Sequence, residues 1–242
     1  MPPAAQSTTL PTAHRLYGWL MLASLLTLIA FALPPPLDRI DKVGFTVVVL
    51  LQIQLLGGMS PRQSRNRSFR LLGWLSAVSL WLWLLTPVDL RGSGIPVLVI
   101  WILFQAYAYW RLITRLGQEP KVTASVLLGA ISGYVLLGLT ASLLMCVIES
   151  INPGSFSGLP ASPLADPRPE ATSLTVTQVN FVHLAYFAFV TMTTLGYGDV
   201  LPVTPVAQIA VILFSILGPV YLAVMLGLLI GRYLQQESDA VS

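Results

Sequence analysis

The stretch Thr191–Asp199 reads T-M-T-T-L-G-Y-G-D and lies between two long apolar runs. Within it, Gly196 and Gly198 allow alternating unusual backbone dihedrals without steric cost. Such alternation can point successive carbonyl oxygens of Thr194 to Gly198 in one direction. Rings of carbonyls can replace the water around a bare K+ ion. The stretch therefore predicts a potassium-selective pore, which the rest of the chain has to support.

Composition predicts an all-α integral membrane protein. Of 242 residues, 55% are hydrophobic and only 10% are charged, against about 25% charged in an average soluble domain. The basic residues sit between apolar runs and form no extended patch, so we expect no nucleic-acid partner despite the net charge of +3. The single cysteine, Cys146, excludes an intrachain disulfide framework and any multi-cysteine metal site.

The first half of the chain predicts a disordered arm over 1–14, a four-helix transmembrane domain over 15–116 and a linker over 117–121. The four apolar runs are Leu16–Leu33, Val43–Met59, Phe69–Leu85 and Ile95–Ile113. A signal peptide ending at Ala30-Phe31-Ala32 is the alternative for the first run. Its length of about 18 residues favours a retained spanning helix.

The second half contains two long apolar runs and a short one. Val122–Ile148 carries small residues, including Gly129-x-x-x-Gly133, whose spacing predicts close helix contacts. Val179–Met192 is too short to span, which favours a re-entrant helix. Val203–Tyr233 is the last long run. Six spans with one re-entrant segment follow.

The distribution of basic residues tests that count. If both termini are cytoplasmic, nine of the 13 Lys and Arg residues lie inside, as the positive-inside rule requires. The inner set is Arg15, Arg62, Arg65, Arg67, Arg70, Arg111, Arg115, Lys121 and Arg232. The same orientation places the Thr194–Gly198 stretch towards the outside. We therefore expect a multi-pass protein of the cell membrane with cytoplasmic termini.

The pore-like half resembles a known family. The pattern Tyr186-Phe187-x-x-Val190-Thr191-x-Thr193-Thr194-Leu195-Gly196-Tyr197-Gly198-Asp199-x-x-Pro202 looks like the pore signature of the tetrameric potassium channels. The resemblance covers about 122–234 and is closest to the prokaryotic six-transmembrane type. It implies a two-helix pore domain with an outer helix over 122–149, a turret over 150–178, a pore helix over 179–193, a selectivity filter over 194–199 and an inner helix over 203–234. A cytoplasmic tail follows over 235–242.

The resemblance also implies residue roles. Carbonyls and one hydroxyl would coordinate K+ from Thr194, Leu195, Gly196, Tyr197 and Gly198. Asp199 would attract cations at the outer mouth, and the Tyr197 ring would brace the filter. Leu195 stands where valine or isoleucine is more usual, which should matter little because its carbonyl does the coordinating. Val190 replaces a buried glutamate of some relatives, so filter stability must come from packing.

The sequence indicates the residues that would control gating less clearly than those of the filter. Gly218-Pro219 is a candidate hinge, with a static kink or a packing glycine as the alternative. Glu149 is either a tether of the outer mouth, as in voltage-gated relatives, or a solvated helix end. His183 is a candidate pH sensor, with a packed histidine as the blander interpretation. The cluster Arg62, Arg65, Arg67 and Arg70 is a possible contact for anionic lipid, or simply a positive-inside loop.

The fourth apolar run lacks the repeated arginines of a voltage sensor. The predicted function is therefore passive K+ conduction by a homotetramer with weak or no voltage dependence. We expect no enzyme activity and no cofactor besides the permeant ion. A non-selective cation channel and a K+ transporter subunit are the alternatives.

Overall fold

The computed structural model describes residues 10–30, 40–57, 63–85, 94–119, 122–159 and 176–241. Most of these residues are helical. In chain order the elements are α1 (Leu10–Ala30), α2 (Ile40–Leu56), α3 (Gln63–Leu85), α4 (Gly94–Gln118), α5 (Ala124–Ile151), β1 (Phe156–Ser157), α6 (Val176–Met192), β2 (Leu201–Pro202) and α7 (Pro205–Val241).

Two boundaries differ from the sequence-based expectation. Helix α1 begins at Leu10, so residues 10–14 are helical and only 1–9 of the expected arm lie outside the described residues. Pro11 falls in the first turn, where proline is well tolerated. Helix α7 continues to Val241 through the expected tail. That segment contains Gln, Glu and Ala but neither Gly nor Pro, so nothing in it ends the helix.

Helix α5 is the centre of the fold, because it packs against α1, α4, α6 and α7. Three of its glycines each lie against an aromatic ring from a different helix: Tyr17 of α1, Tyr221 of α7 and Phe189 of α6. A methyl added at Gly129 would come 2.7 Å from Tyr17 Cδ1, and additions at Gly133 and Gly138 would overlap Tyr221 and Phe189. The prediction of close contacts along this helix is confirmed.

Helices α1–α4 form a bundle with a largely apolar core. Helix α1 packs on α2, α3 packs on α4, and both α1 and α4 reach α5 of the same chain. Aromatic rings fill the middle: Phe45 meets Trp101 edge to face at 5.1 Å, and Phe69 lies 5.3 Å from Phe104. Gly73 of α3 leaves room for Ile53 and Phe104, whose nearest atoms would lie 2.7 and 2.9 Å from a Cβ at that position.

Within the described residues, two helices are long and apolar enough to cross a membrane: Ala124–Ile151 and Pro205–Gln236. Three shorter apolar helical segments lie at Arg15–Ala30, Val43–Leu56 and Phe181–Met192. The two long helices fit the expected pore domain. The structure thus has four helices ahead of α5, but their length and hydropathy do not support the expectation that all four span a membrane.

Candidate functional site

The end of α6 sets the geometry of the stretch that follows it. The helix ends at Met192, and the Thr194 N–H donates to the Thr191 carbonyl at 3.0 Å while the Leu195 N–H donates to the Val190 carbonyl at 3.0 Å. This pair of bonds is the Schellman arrangement for ending a helix, which places a left-handed residue just beyond the last turn. Here that residue is Thr194, with φ of 62°.

The backbone beyond Thr194 alternates in the sign of φ. Positive values occur at Thr194 (62°), Gly196 (55°) and Gly198 (79°), and not at Leu195 or Tyr197 between them. The unusual dihedrals expected at the two glycines are confirmed. The positive φ at Thr194 was not anticipated, because a β-branched residue rarely adopts it. The signal that could have revealed it is the helix end at Met192, four residues before the first glycine, Gly196.

The amide and carbonyl groups of this stretch have different surroundings. The N–H groups of Thr194, Leu195 and Gly196 all donate back to carbonyls of α6. Among the described backbone hydrogen bonds, none is accepted by a carbonyl of residues 194–197. The stretch therefore turns its donors towards α6, while its carbonyl oxygens accept none of the described backbone hydrogen bonds.

Asp199 follows this row and is held by a residue of α6. The Tyr186 hydroxyl and the Asp199 carboxylate interact, and this interaction, chiefly through hydrogen bonding, raises the pKa of the Tyr186 phenol. The Tyr186 and Tyr197 rings lie nearly parallel, with centroids 6.4 Å apart. Sequence reasoning noted that Val190 removes a glutamate partner for Asp199 but missed Tyr186. Tyr186 lies one helical turn before Val190, on the same face of α6, which could have suggested it.

A short antiparallel strand pair fixes the backbone after Asp199. Phe156 of β1 pairs with Pro202 of β2, Ser157 pairs with Leu201, and the Val203 N–H donates to the Ser155 carbonyl at 2.8 Å. Gly158, with φ of 82°, lies directly against the Asp199 carbonyl oxygen. Sequence reasoning treated this part of the expected turret as polar loop, since two-residue strands carry no hydrophobic period. Residues 160–175 lie outside the described residues.

Glu149, in the last turn of α5, holds strand β1 of the same pair. Its carboxylate is buried and accepts the Gly154 N–H at 2.8 Å and the Phe156 N–H at 3.0 Å. Glu149 therefore acts on β1, and through β2 on the segment that follows Asp199. The burial of Glu149 and its two amide hydrogen bonds contradict a solvated helix end, and a tether of the outer mouth stays a prediction. We name Glu149, β1 and β2 the outer clamp.

Gly218 and Pro219 lie in the middle of α7, which continues through both. A methyl added at Gly218 would come 2.6 Å from the Met192 carbonyl oxygen at the end of α6. Gly218 is thus a close-packing glycine in this structure, whereas an added methyl at Gly227 or Gly231 would meet no atom within 4 Å. The hinge role of Gly218 and Pro219 stays a prediction.

The predicted lipid contacts lie at the start of α3. Arg62 lies outside the described residues, and Arg65 is described only as part of the helix. Arg67 and Arg70 are both exposed. Arg70 crosses over Gly57, where a methyl would come 3.0 Å from its Nε atom. The two described arginines share one face of α3, but their role stays a prediction.

A comparison with known protein families found a match in the C-terminal part of the chain. Residues 169–235 match a family model described as an ion channel, and this range includes all of α6, the 194–199 stretch and most of α7. No curated protein matches the chain. The matched range and the two long apolar helices indicate a membrane protein. Over residues 169–235 the chain is therefore similar to ion channels.

Proposed function

We propose that this chain is one subunit of a homotetrameric, potassium-selective channel that conducts passively with weak or no voltage dependence. One observation carries the proposal: the alternation of φ over Thr194, Gly196 and Gly198, directly after the end of α6. A backbone of this kind presents several carbonyl oxygens in succession, and four copies around an axis form successive rings that replace the hydration shell of K+.

The backbone itself supports a tetramer. The 194–199 stretch is neither helix nor strand, and irregular backbone at membrane depth is tolerated only when protein or a water-filled cavity surrounds it. In the single chain Leu195 and Tyr197 are 59% and 67% exposed, and a cavity of about 350 Å³ lies between this stretch, α6 and α7. Neighbouring copies would cover these side chains and place the carbonyls on the axis.

Electrostatics favour cations at both ends of the proposed filter. The Asp199 carboxylate follows the carbonyl row and adds negative charge at the outer mouth. The C-terminus of α6 lies at the other end, and a helix C-terminus carries partial negative charge that stabilises a cation. A K+ ion entering from either side would meet an attractive potential.

Arg111 and Arg115 of α4 are the residues that most resemble the arginines of a voltage sensor, and contacts hold both in place. Arg111 is buried, donates to the Asn66 side chain at 2.6 Å and lies 4.6 Å from the centre of the Phe69 ring. Arg115 donates to the Leu55 carbonyl and lies 3.7 Å from the Glu119 carboxylate. Both are near the end of α4, which we place at the cytoplasmic surface, so they would cross little of the membrane field.

Purified protein in planar bilayers tests the proposal. We expect a bi-ionic reversal potential that strongly favours K+ over Na+, and a detergent-solubilised particle with the mass of four chains. Equal K+ and Na+ permeability would instead establish a non-selective cation channel. Saturable transport without unitary currents in a particle of another stoichiometry would establish a transporter subunit. Either result would overturn the proposal.

Lipid contact and orientation belong to the same proposal. The expected inner-leaflet position of Arg62, Arg65, Arg67 and Arg70 would place these cations next to anionic headgroups. Replacing Arg67 and Arg70 by Gln should weaken the dependence of current on anionic lipid in the bilayer. A fluorescent label at either terminus should be protected from an external quencher in intact cells, since both termini are proposed to be cytoplasmic.

A further inference from the structure

Two glutamine side chains lie in the interior of the α1–α4 bundle. Gln52 of α2 and Gln105 of α4 are each only 1% exposed. Among the residues that the structure describes, no group forms a hydrogen bond with Gln52 Oε1, Gln105 Oε1 or Gln105 Nε2. Both amide atoms of Gln105 share this condition, so exchanging its oxygen and nitrogen would not change it. Burying an amide without a partner is costly, and the two side chains therefore need a further hydrogen-bonding partner.

The buried hydroxyl groups of the described bundle donate elsewhere. In α1 the hydroxyls of Ser24 and Thr27 donate to carbonyls of their own helix, at 2.9 and 2.7 Å. In α3 the Ser76 hydroxyl donates to the Gly73 carbonyl at 2.8 Å, and the Ser76 carbonyl accepts the Trp101 indole N–H at 2.8 Å. The protons of these three hydroxyls are thus used within their own helices and do not satisfy the glutamines.

Gln52 and Gln105 lie on the faces by which α2 and α4 meet. The two helices pack directly on each other, and Phe45 of α2 contacts Trp101 of α4 edge to face at 5.1 Å. Gln52 follows Phe45 by seven residues, and Gln105 follows Trp101 by four. Both intervals return a helix to nearly the same face. The two amides therefore point into the contact that the aromatic pair begins.

The two amides also lie at similar levels along the bundle. Their neighbours in sequence, Ile53 and Phe104, approach the same point on α3: a Cβ at Gly73 would lie 2.7 Å from Ile53 Cδ1 and 2.9 Å from Phe104 Cε2. One residue advances a helix by only about 1.5 Å. Gln52 and Gln105 therefore lie within about one turn of each other, and a small molecule between α2 and α4 can reach both.

We propose that Gln52 and Gln105 bind internal water between α2 and α4. One water accepts the Gln105 Nε2–H and donates to Gln52 Oε1, so that it bridges the two helices, and a second donates to Gln105 Oε1. Water fits these atoms because it both donates and accepts, and buried waters typically make about three hydrogen bonds to polar groups that lack other partners.

This water is part of the fold and does not fill an open crevice, since both side chains are almost fully buried. Glutamines on packed apolar helices usually hydrogen-bond directly from one helix to the other. A bridging water is nearly as favourable as a direct hydrogen bond, so it fastens α2 to α4 in the same way. The site depends only on the bundle and not on whether the protein conducts K+.

The first test detects the water itself in the reconstituted full-length protein. X-ray radiolysis converts bound water into hydroxyl radicals, which oxidise the side chains beside it. We expect oxidation of Trp101 and Phe104, although they are only 3% and 0% exposed, and loss of this oxidation in the double variant Gln52→Leu/Gln105→Leu. Met145, 0% exposed in α5, is the internal reference for a buried side chain on another helix.

The second test measures melting temperature. Gln52→Leu and Gln105→Leu should each lower it by about 2–4 °C, the shift expected when one buried hydrogen bond is lost in a chain of this size. The double variant should melt at or above the unsubstituted protein, because two apolar side chains leave no polar group unpaired. Gln54→Leu is the matched control, since Gln54 is an exposed glutamine of the same helix, and it should change the melting temperature little.

Each result decides for or against the water site. Oxidation of Trp101 and Phe104 in the unsubstituted protein, together with recovery in the double variant, would support it. Absence of that oxidation would overturn it, and recovery without oxidation would show that the two amides bond directly to each other. Melting shifts that simply add in the double variant would also overturn it. Because no measurement requires a current, failure of the proposed function would leave these results unaffected.

Discussion

Thr194 is the residue at which the irregular 194–199 stretch begins, just after the end of α6. Its φ of 62° costs a non-glycine residue about 1–2 kcal/mol, and two hydrogen bonds of the α6 terminus impose it. Thr194 therefore needs the preceding helix to hold it, whereas Gly196 and Gly198 adopt the same sign of φ unaided. Glycine at this position would avoid the cost but would lack the hydroxyl of Thr194. We predict that threonine is present because this hydroxyl coordinates K+.

Gly196→Ala tests the alternation directly. The substitution places a Cβ on a residue with φ of 55°, which costs about 1–2 kcal/mol in each chain and about four times that in a tetramer. We expect loss of K+ selectivity in bi-ionic recordings without loss of membrane insertion. Gly227→Ala is the control, because its added methyl meets no atom within 4 Å and alanine favours a helix. Unchanged selectivity in Gly196→Ala would contradict the proposed filter.

Tyr186→Phe tests the partner of Asp199. Phenylalanine keeps the ring that lies beside Tyr197 but removes the hydroxyl that interacts with the carboxylate. We expect faster decay of current during sustained K+ conduction, with the K+/Na+ permeability ratio retained, because the change loosens the outer mouth and leaves the carbonyl row intact. Tyr233→Phe, at the other end of α7, removes an exposed hydroxyl for comparison. Identical decay in both variants would show that the hydrogen bond does not stabilise the outer mouth.

Among the elements, the outer clamp connects the end of α5 to the segment after Asp199. Glu149 holds the amides of Gly154 and Phe156, and β1 holds β2. A buried carboxylate that accepts two amide hydrogen bonds is worth more than a surface ion pair, since bonds to charged groups contribute about 1.5–3 kcal/mol each. The segment after Asp199 is thereby positioned from α5 as well as from α6.

Two glycines of the clamp form a matched pair for mutation. Gly154 and Gly158 have nearly equal φ values, 86° and 82°, so alanine is similarly strained at either position. Only at Gly158 would the added methyl overlap the Asp199 carbonyl. We expect Gly158→Ala to lower the melting temperature of the assembled protein and the K+ current well beyond Gly154→Ala. Equal effects of the two substitutions would mean that contact with Asp199 is unimportant.

Helix α7 offers a second matched pair. In Gly218→Ala the methyl lies 2.6 Å from the Met192 carbonyl oxygen and would push α7 away from the end of α6. The hydrogen bonds that orient Thr194 and Leu195 go to Thr191 and Val190, not to Met192. We therefore expect a changed open probability with little change in K+/Na+ selectivity, measured in single-channel records. Gly231→Ala, with no atom within 4 Å, should change neither; the reverse pattern in Gly218→Ala would refute the prediction.

In the molecule as a whole, α5 lies between two parts of the fold. It packs against α6 and α7 of the C-terminal part, and against α1 and α4 of the α1–α4 bundle, where Gly129 lies against Tyr17. Because α4 ends at Gln118 and α5 begins at Ala124, the bundle stays beside the pore helices of its own chain.

The fixed positions of Arg111 and Arg115 predict a shallow dependence of conductance on voltage. Moving one charge through the whole membrane field contributes about 2.3 kcal/mol per 100 mV, and neither arginine is free to make that movement within the described contacts. We expect macroscopic conductance to change gradually between strongly negative and positive potentials. A steep curve that requires several gating charges per subunit would show that the bundle senses voltage by another route.

The sequence by itself determined what depends on neighbouring residues. Alternating glycines dictated the positive φ at Gly196 and Gly198, small residues dictated the close contacts of α5, and long apolar runs dictated α5 and α7. These features follow from backbone sterics and hydrophobic length, which residue type fixes locally. The end of α7 was misjudged because its polar composition was taken as a tail, although it contains no helix breaker.

Only the tertiary structure decided which distant groups meet. Tyr186 reaches Asp199, Glu149 reaches β1, Gly218 and not Gly227 lies at a close helix contact, and Arg232 caps a helix that ends more than 100 residues earlier. Each is a hydrogen bond or a steric contact between segments far apart in the chain, and residue type alone leaves many possible partners for each. Packing around α5 selects one of them, because the ring contacts at its glycines fix how α1, α6 and α7 are placed.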